Sequence, residues 1–307
     1  MIYDKYSFTI PEGKMLRVIT NTDAKNEADD QYAIVHTLLS PRFDNRGIIA
    51  AHFGDEKSAT SMEDSYKEIL KLLGLMGINN KGLVYKGADH AIPNERMYVP
   101  SDGAELIIKE AMSDDPRSLF VTFLGPLTDL ASAYLMEPRI AGKLTAIWIG
   151  GGTYPNGGAE YNLGNDINAA NVVFKSNILL WQVPKNVYQM MLVSIAELEY
   201  KVKPCGEIGK YLFEQLVEWG HTKYGKRSAL RTGECWFLGD SPVVGLMLNE
   251  HQNYYDWIPA PDITNDMNYV HNKNNRPIKV YNFVDSRFIM EDFYAKLTMF
   301  AKNQSSK

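Results

Sequence analysis

LRVITNTDAKNEADDQYAIVHTLL, residues 16–39, opens on an apolar run (Leu16, Val18, Ile19) that predicts a buried strand. A polar turn follows with three carboxylates, Asp23 and the adjacent pair Asp29 and Asp30. Apolar residues then recur near helical spacing at Ala33, Ile34, Leu38 and Leu39. The acids therefore stand at the carboxyl end of a strand, where open α/β sheets bind their ligands. Three carboxylates on one turn repel one another unless a proton or cation neutralises them. Oxygen-only ligands of this kind suit Ca²⁺ or Mg²⁺. The plain alternative is a solvated acidic loop with Asp29 at a helix start.

Working outward, strand-like and helix-like segments alternate. RGIIAAHF (46–53), LVYKG (83–87), SLFVTFLG (118–125), LTAIWIGGG (144–152) and ILLWQV (178–183) read as strands. Amphipathic or capped helices are expected at 62–74, 104–112, 126–135 and 166–175. This rhythm predicts an α/β fold, a mostly parallel sheet with helices on both faces. From about residue 184 to 275 the pattern is more helical and less regular, with an amphipathic helix at 205–219. A late strand (278–284) and a closing helix (287–300) follow. No repeat, low-complexity tract or linker divides the chain, so residues 1–307 are expected to form one domain.

At 307 residues the chain can bury a full core, and its net charge of −5 gives no reason to expect a nucleic-acid partner. Cys205 and Cys235 are the only cysteines, too few for a disulfide framework. The amino terminus, MIYDKYSFTIPEGK, lacks a charged start followed by an apolar stretch, and no apolar run reaches the length of about 18 residues that crosses a bilayer. The expectation is a protein of a reducing compartment, the cytoplasm, with no membrane partner.

Three further stretches fall at strand ends. In Phe123-Leu124-Gly125-Pro126-Leu127-Thr128 the backbone carbonyl of Leu124 is a candidate metal ligand beside the carboxylates; Gly and Pro alone also explain a tight strand-to-helix turn. Asn156-Gly157-Gly158-Ala159-Glu160-Tyr161-Asn162 supplies the donors and acceptors that sugar hydroxyls need. Asp240, in Gly239-Asp240-Ser241-Pro242, is either another site acid or a helix cap.

Together these stretches resemble the inosine–uridine-type nucleoside hydrolases, calcium-dependent enzymes that cleave the N-glycosidic bond of nucleosides. The resemblance rests on NTDAKNEADDQ (21–31), LGPLTDLA (124–131), IGGGTYPNGGAEYNLGNDINAA (149–170) and GDSPVVGLML (239–248), four blocks in the family's order. It implies a Rossmann-like nucleoside hydrolase fold with Ca²⁺ held by Asp23, Asp30, Asp240 and the Leu124 carbonyl. Asp23 would take a proton from the metal-bound water. Asp29 and Asn162 would grip the ribose 2- and 3-hydroxyls, with Asp240 sharing that work. Glu160 and Asn156 would meet the 5-hydroxyl, Tyr161 would lie near the base, and Thr128 and Asp129 would stabilise the turn. A small-molecule nucleoside substrate and a dimer or tetramer are implied in the same way. The chemistry agrees: glycosidic cleavage passes through an oxocarbenium-like transition state, which carboxylates stabilise.

The chain departs from the family pattern in four places. Five residues, not three, separate Asp23 from Asp29, so Asn26 or Glu27 is brought toward the site. Asp55 stands where the family has a ribose-contacting Asn, and Leu124 where it has Thr. Gly239 stands where many members carry the His that protonates the leaving base. His52, His90 and His221 are the candidate substitutes, Trp236 is a candidate to stack on a base, and 221–234 reads as a lid or a solvated loop. Two other readings stay open: a calcium-dependent ribose- or nucleoside-binding protein on the same fold, and a Mg²⁺ phosphohydrolase, for which a glycine-rich phosphate cradle is lacking.

Overall fold

All seven residues of the first strand, β1 (Leu16–Thr22), are buried, which requires partners on both edges and apolar cover on both faces. Both are present in the computed structural model, which describes residues 3, 5–227, 233–250 and 254–305. The strands that follow are β2 (Phe43–Ala50), β3 (Val84–Lys86), β4 (Leu119–Phe123), β5 (Thr145–Ile149) and β6 (Leu179–Val183). Then come β7 (Leu192–Ser194), β8 (Cys235–Phe237), β9 (Tyr255–Pro259), β10 (Asp262–Ile263), β11 (Tyr269–Val270) and β12 (Pro277–Tyr281). Eight of them form one sheet in the order β3-β2-β1-β4-β5-β6-β12-β9. Every pair in it is parallel except β12–β9.

The helices are α1 (Asp30–Leu39), α2 (Ser61–Leu75), α3 (Asp102–Ala111), α4 (Thr128–Met136), α5 (Tyr161–Asn165) and α6 (Ile167–Lys175). The later ones are α7 (Lys185–Tyr188), α8 (Ile195–Lys201), α9 (Gly206–His221), α10 (Pro242–Leu248) and α11 (Ser286–Ser305). Side chains alternate across a strand, so Val18 and Phe120 enter one apolar layer while Ile19 and Val121 enter the other. Helices α1, α2 and α7 to α11 pack in the first layer, and α3 to α6 in the second. The expected α/β architecture, a mostly parallel sheet covered on both faces, is what the chain forms.

The differences lie late in the chain. β9 adds an antiparallel edge strand, and β7 pairs antiparallel with β8 outside the main sheet. Neither follows from apolar periodicity, because β9 (Tyr255–Pro259) has no fully buried residue. No helix among the described residues is long and apolar enough to cross a membrane.

The sheet order places the site. β1 and β4 are neighbours, but the chain leaves β1 toward β2 on one side and leaves β4 toward β5 on the other. Successive crossovers thus diverge and open a crevice at the carboxyl ends of β1 and β4. Asp23 follows the first of these strands and Leu124 the second.

Candidate active site

A small cavity of about 50 Å³ at this crevice is walled by Asp23, Asn26, Glu27, Asp29, Asp30, Leu124, Ile149, Glu160, Tyr161, Asn162, Tyr188, Gly239 and Asp240. One carboxylate oxygen each of Asp29, Asp30 and Asp240 lies within 4.8 Å of the others. Asp29 and Asp30 arrive at the start of α1, and Asp240 just before α10. Asp30 also accepts a hydrogen bond from the Thr22 hydroxyl at the end of β1. Asp23 stands outside the converging trio. It packs on Gly125, where a Cβ would lie 2.9 Å from its carboxyl carbon, so glycine is needed at that position.

Both Asp23 oxygens are buried, and no hydrogen-bond partner reaches them among the described residues. An unpaired buried carboxylate is costly, and its proton affinity reports that cost. Burial, followed by the charge of Asp30, raises the Asp23 carboxyl well above its ordinary range. Burial raises Asp29 to about 6 against the opposing pull of backbone N–H groups. Burial and the Asp29 charge raise Asp30 to about 7. Asp240 and Glu27 shift the same way, again led by burial. A cluster that holds protons this strongly, built only from oxygen donors, fits a hard divalent cation.

The remaining wall is built from strand ends and a helix cap. Asn162 donates its side-chain N–H groups to the carbonyls of Leu124 and Ile149, at 2.7 and 2.9 Å. Its amide oxygen is left as the acceptor, and the Leu124 carbonyl keeps its second lone pair. Glu160 caps α5. Its two oxygens accept from the N–H groups of Gly151, Asn162 and Leu163 and from the Tyr188 hydroxyl. Tyr161 donates its hydroxyl to the Phe53 carbonyl and lines the cavity.

Asp23, Asp29, Asp30, Leu124, Glu160, Tyr161, Asn162 and Asp240 are therefore brought together around one cavity. Three candidates are not. Trp236 is fully buried and packs edge-on against Trp219, which leaves no ring face for a base. Asp55 is exposed on a neighbouring groove of about 370 Å³ that shares Tyr161 with the cavity. Asn156 is exposed, with its carbonyl accepting the Tyr269 N–H, and does not line the cavity.

The substitute histidines also lie elsewhere. His52 is buried, with one ring nitrogen bonded to Thr128 and the other accepting the Gly54 N–H. His90 is exposed and pairs with Asp89, and His221 is exposed at the end of α9. Within the proposed lid, residues 228–232 lie outside the described residues. Thr128 and Asp129 do tie the turn: Thr128 bonds Asp166, and Asp129 accepts from Asn21, Ala88 and Ser101.

Sequence reasoning missed Tyr188 and Lys57. Tyr188 follows β6 closely enough that its place at a strand end was a usable signal. It also crowds Gly239: a Cβ there would lie 3.1 Å from the Tyr188 ring. A histidine at 239 would therefore press on the Tyr188 ring. Gly239→His is expected to lower the melting temperature, consistent with about 1–3 kcal/mol of overpacking, and to reduce turnover. Adding Tyr188→Ala is expected to cost less in the Gly239→His background than in the wild type, because the ring that the histidine presses on is gone; calorimetry on the single and double variants checks this.

With the geometry in place, the chain can be set beside known proteins. The family model described as inosine-uridine preferring nucleoside hydrolase matches residues 18–280. Uridine nucleosidase 1 of Arabidopsis thaliana is 25% identical over 282 residues, 82% of this chain and 76% of that protein. The inosine-uridine preferring nucleoside hydrolase of Leishmania major is 30% identical over 132 residues, 40% of this chain and 42% of that one. Among solved structures, the purine-preferring ribonucleoside hydrolase from Gardnerella vaginalis shares the fold with a TM-score of 0.75 at 19% identity, covering 93% of this chain and 99% of that one.

Proposed function

The chain belongs to the inosine-uridine preferring nucleoside hydrolase family, and we propose on that premise how the site around Asp23 does its chemistry. It is a hydrolase of N-glycosyl bonds, and its substrate is a small-molecule ribonucleoside. The observation that carries the mechanism is the partnerless Asp23 carboxylate beside the convergent acids at the switch point.

In this reading Asp30, Asp240 and the Leu124 carbonyl would hold Ca²⁺, with Asp23 and Asp29 beside them in the same cavity. When bound there, Ca²⁺ would supply the positive charge that neutralises the acids, orients the ribose diol and makes a nearby water more acidic. Asp23 takes the proton from that water as it attacks the anomeric carbon. Its two free oxygens and its burial suit a base that stays unpaired until substrate arrives. Asp29 and the Asn162 amide oxygen accept from the ribose 2- and 3-hydroxyls. Glu160 and Tyr188 border the 5-hydroxyl, and Tyr161 lies beside the base. As the C–N bond opens, positive charge spreads over the sugar ring, and the surrounding carboxylates stabilise it. A single domain over residues 1–307, a dimer or tetramer, and a cytoplasmic setting belong to the same proposal.

The test is ribose release from a panel of purine and pyrimidine ribonucleosides, with Ca²⁺ and with chelator. Release that needs the cation is the expected result. Tight nucleoside binding with no product over hours would instead favour a ribose- or nucleoside-binding protein.

A further inference from the structure

The site has a base for the attacking water but no evident donor for the departing nucleobase. Gly239 has no side chain, both ring nitrogens of His52 are committed, and His90 and His221 are exposed and do not line the cavity. The hydroxyls of Tyr161 and Tyr188 are already given to Phe53 and Glu160.

Lys57 remains. It lies two residues past Asp55, in the loop after β2, and is partly buried. Its ammonium donates to the backbone and side-chain oxygens of Asn26. It sits 4.2 Å from the centre of the Tyr161 ring, with Trp219 and Tyr224 each at 5.7 Å. Asn26 and Tyr161 both line the acid cavity, so the ammonium stands on its rim, seated on rings. The same rim is clasped from outside: Trp219 donates to the Asn26 carbonyl and Tyr224 to the Glu56 carbonyl. Asn26, in the acidic loop, is what holds the lysine there.

We propose that Lys57 is the proton donor to the departing base. The proposal rests on the ribonucleoside hydrolase reading and deepens it. The C1′–N bond breaks with its electron pair going to the base, which takes one proton from the Lys57 ammonium and leaves neutral. Water oxygen bonds to C1′ and gives one proton to Asp23. Transfer of that proton through solvent to Lys57 restores the site. Burial lowers the proton affinity of Lys57, while the carboxylates of Glu27, Asp23, Glu56 and Asp29 oppose that shift.

The experiment compares inosine and uridine with p-nitrophenyl β-D-ribofuranoside, whose leaving group departs without a proton, all with Ca²⁺ present. Lys57→Met and Lys57→Arg are made, with folding checked by melting; arginine keeps a cation on the rings but is a poor proton donor. Both variants are expected to lose about 10²–10⁴-fold in kcat on the nucleosides and far less on the aryl riboside. Equal losses on both substrate types, or an active Lys57→Arg enzyme, would make Lys57 a positioning cation and overturn the proposal. Wild-type protein that cleaves none of the three would overturn the hydrolase reading beneath it.

Discussion

Asp23→Asn is expected to abolish turnover while leaving a folded protein that still binds the cation. Asn keeps the size of Asp but cannot take a proton, and removing a general base costs about 10²–10⁴-fold in rate. The converging oxygens are those of Asp29, Asp30 and Asp240, with Asp23 outside the trio. Cation affinity is therefore expected to fall less in Asp23→Asn than in Asp240→Asn, and calorimetric titration of both variants checks the order. Stability moves the other way. Wild-type Asp23 buries two oxygens without hydrogen-bond partners among the described residues, so a neutral amide there is expected to raise the melting temperature in chelator, a trade of stability for function. An Asp23→Asn enzyme that keeps wild-type turnover would remove Asp23 from the reaction.

Much of this site was legible in the sequence because its signals are local. The apolar runs around Val18, Val121 and Ile147 mark buried strands, and their alternation with helices implies a parallel sheet with ligands at the carboxyl ends. The carboxylates stand out because acids directly after such a strand are hard to explain otherwise. Residues whose role depends on sheet order were not legible. Lys57 reaches Tyr161 only because the loop after β2 folds beside the start of α5, and nothing in the sequence near either residue names the other. Asp55, the residue that the family pattern singles out on that loop, lies two positions away, and that small displacement puts it in a different groove. Trp236 failed for a local reason: alternation along β8 turns it fully inward between the half-buried Cys235 and Phe237. Gly239, which the family pattern marks as a missing acid, is crowded by Tyr188, a contact distant along the chain that no spacing rule encodes.

Removing the cation should make stability depend on pH in a direction opposite to ordinary acid denaturation. In the folded chain the carboxyl of Asp30 is raised to about 7 and that of Asp29 to about 6, against an ordinary 3.8. Between about pH 4 and 7 the folded chain without a cation then holds more protons at these sites than the unfolded chain, and stability falls as pH rises. A tenfold difference in proton affinity between the folded and unfolded chain is worth about 1.4 kcal/mol, and these acids share one crowded site, so their contributions do not simply add. With chelator present, the protein is expected to melt at a higher temperature near pH 5 than near pH 8. Saturating Ca²⁺ should reverse the order, since it binds the ionised acids and stabilises the folded form most where they are ionised. Asp240→Asn, which removes one of the converging charges, is expected to flatten the pH dependence in chelator and to weaken the response to Ca²⁺. Melting curves at the two pH values, with and without the ion, decide the matter. A slope that is the same in chelator and in Ca²⁺ would mean that the acid cluster is not where the cation acts.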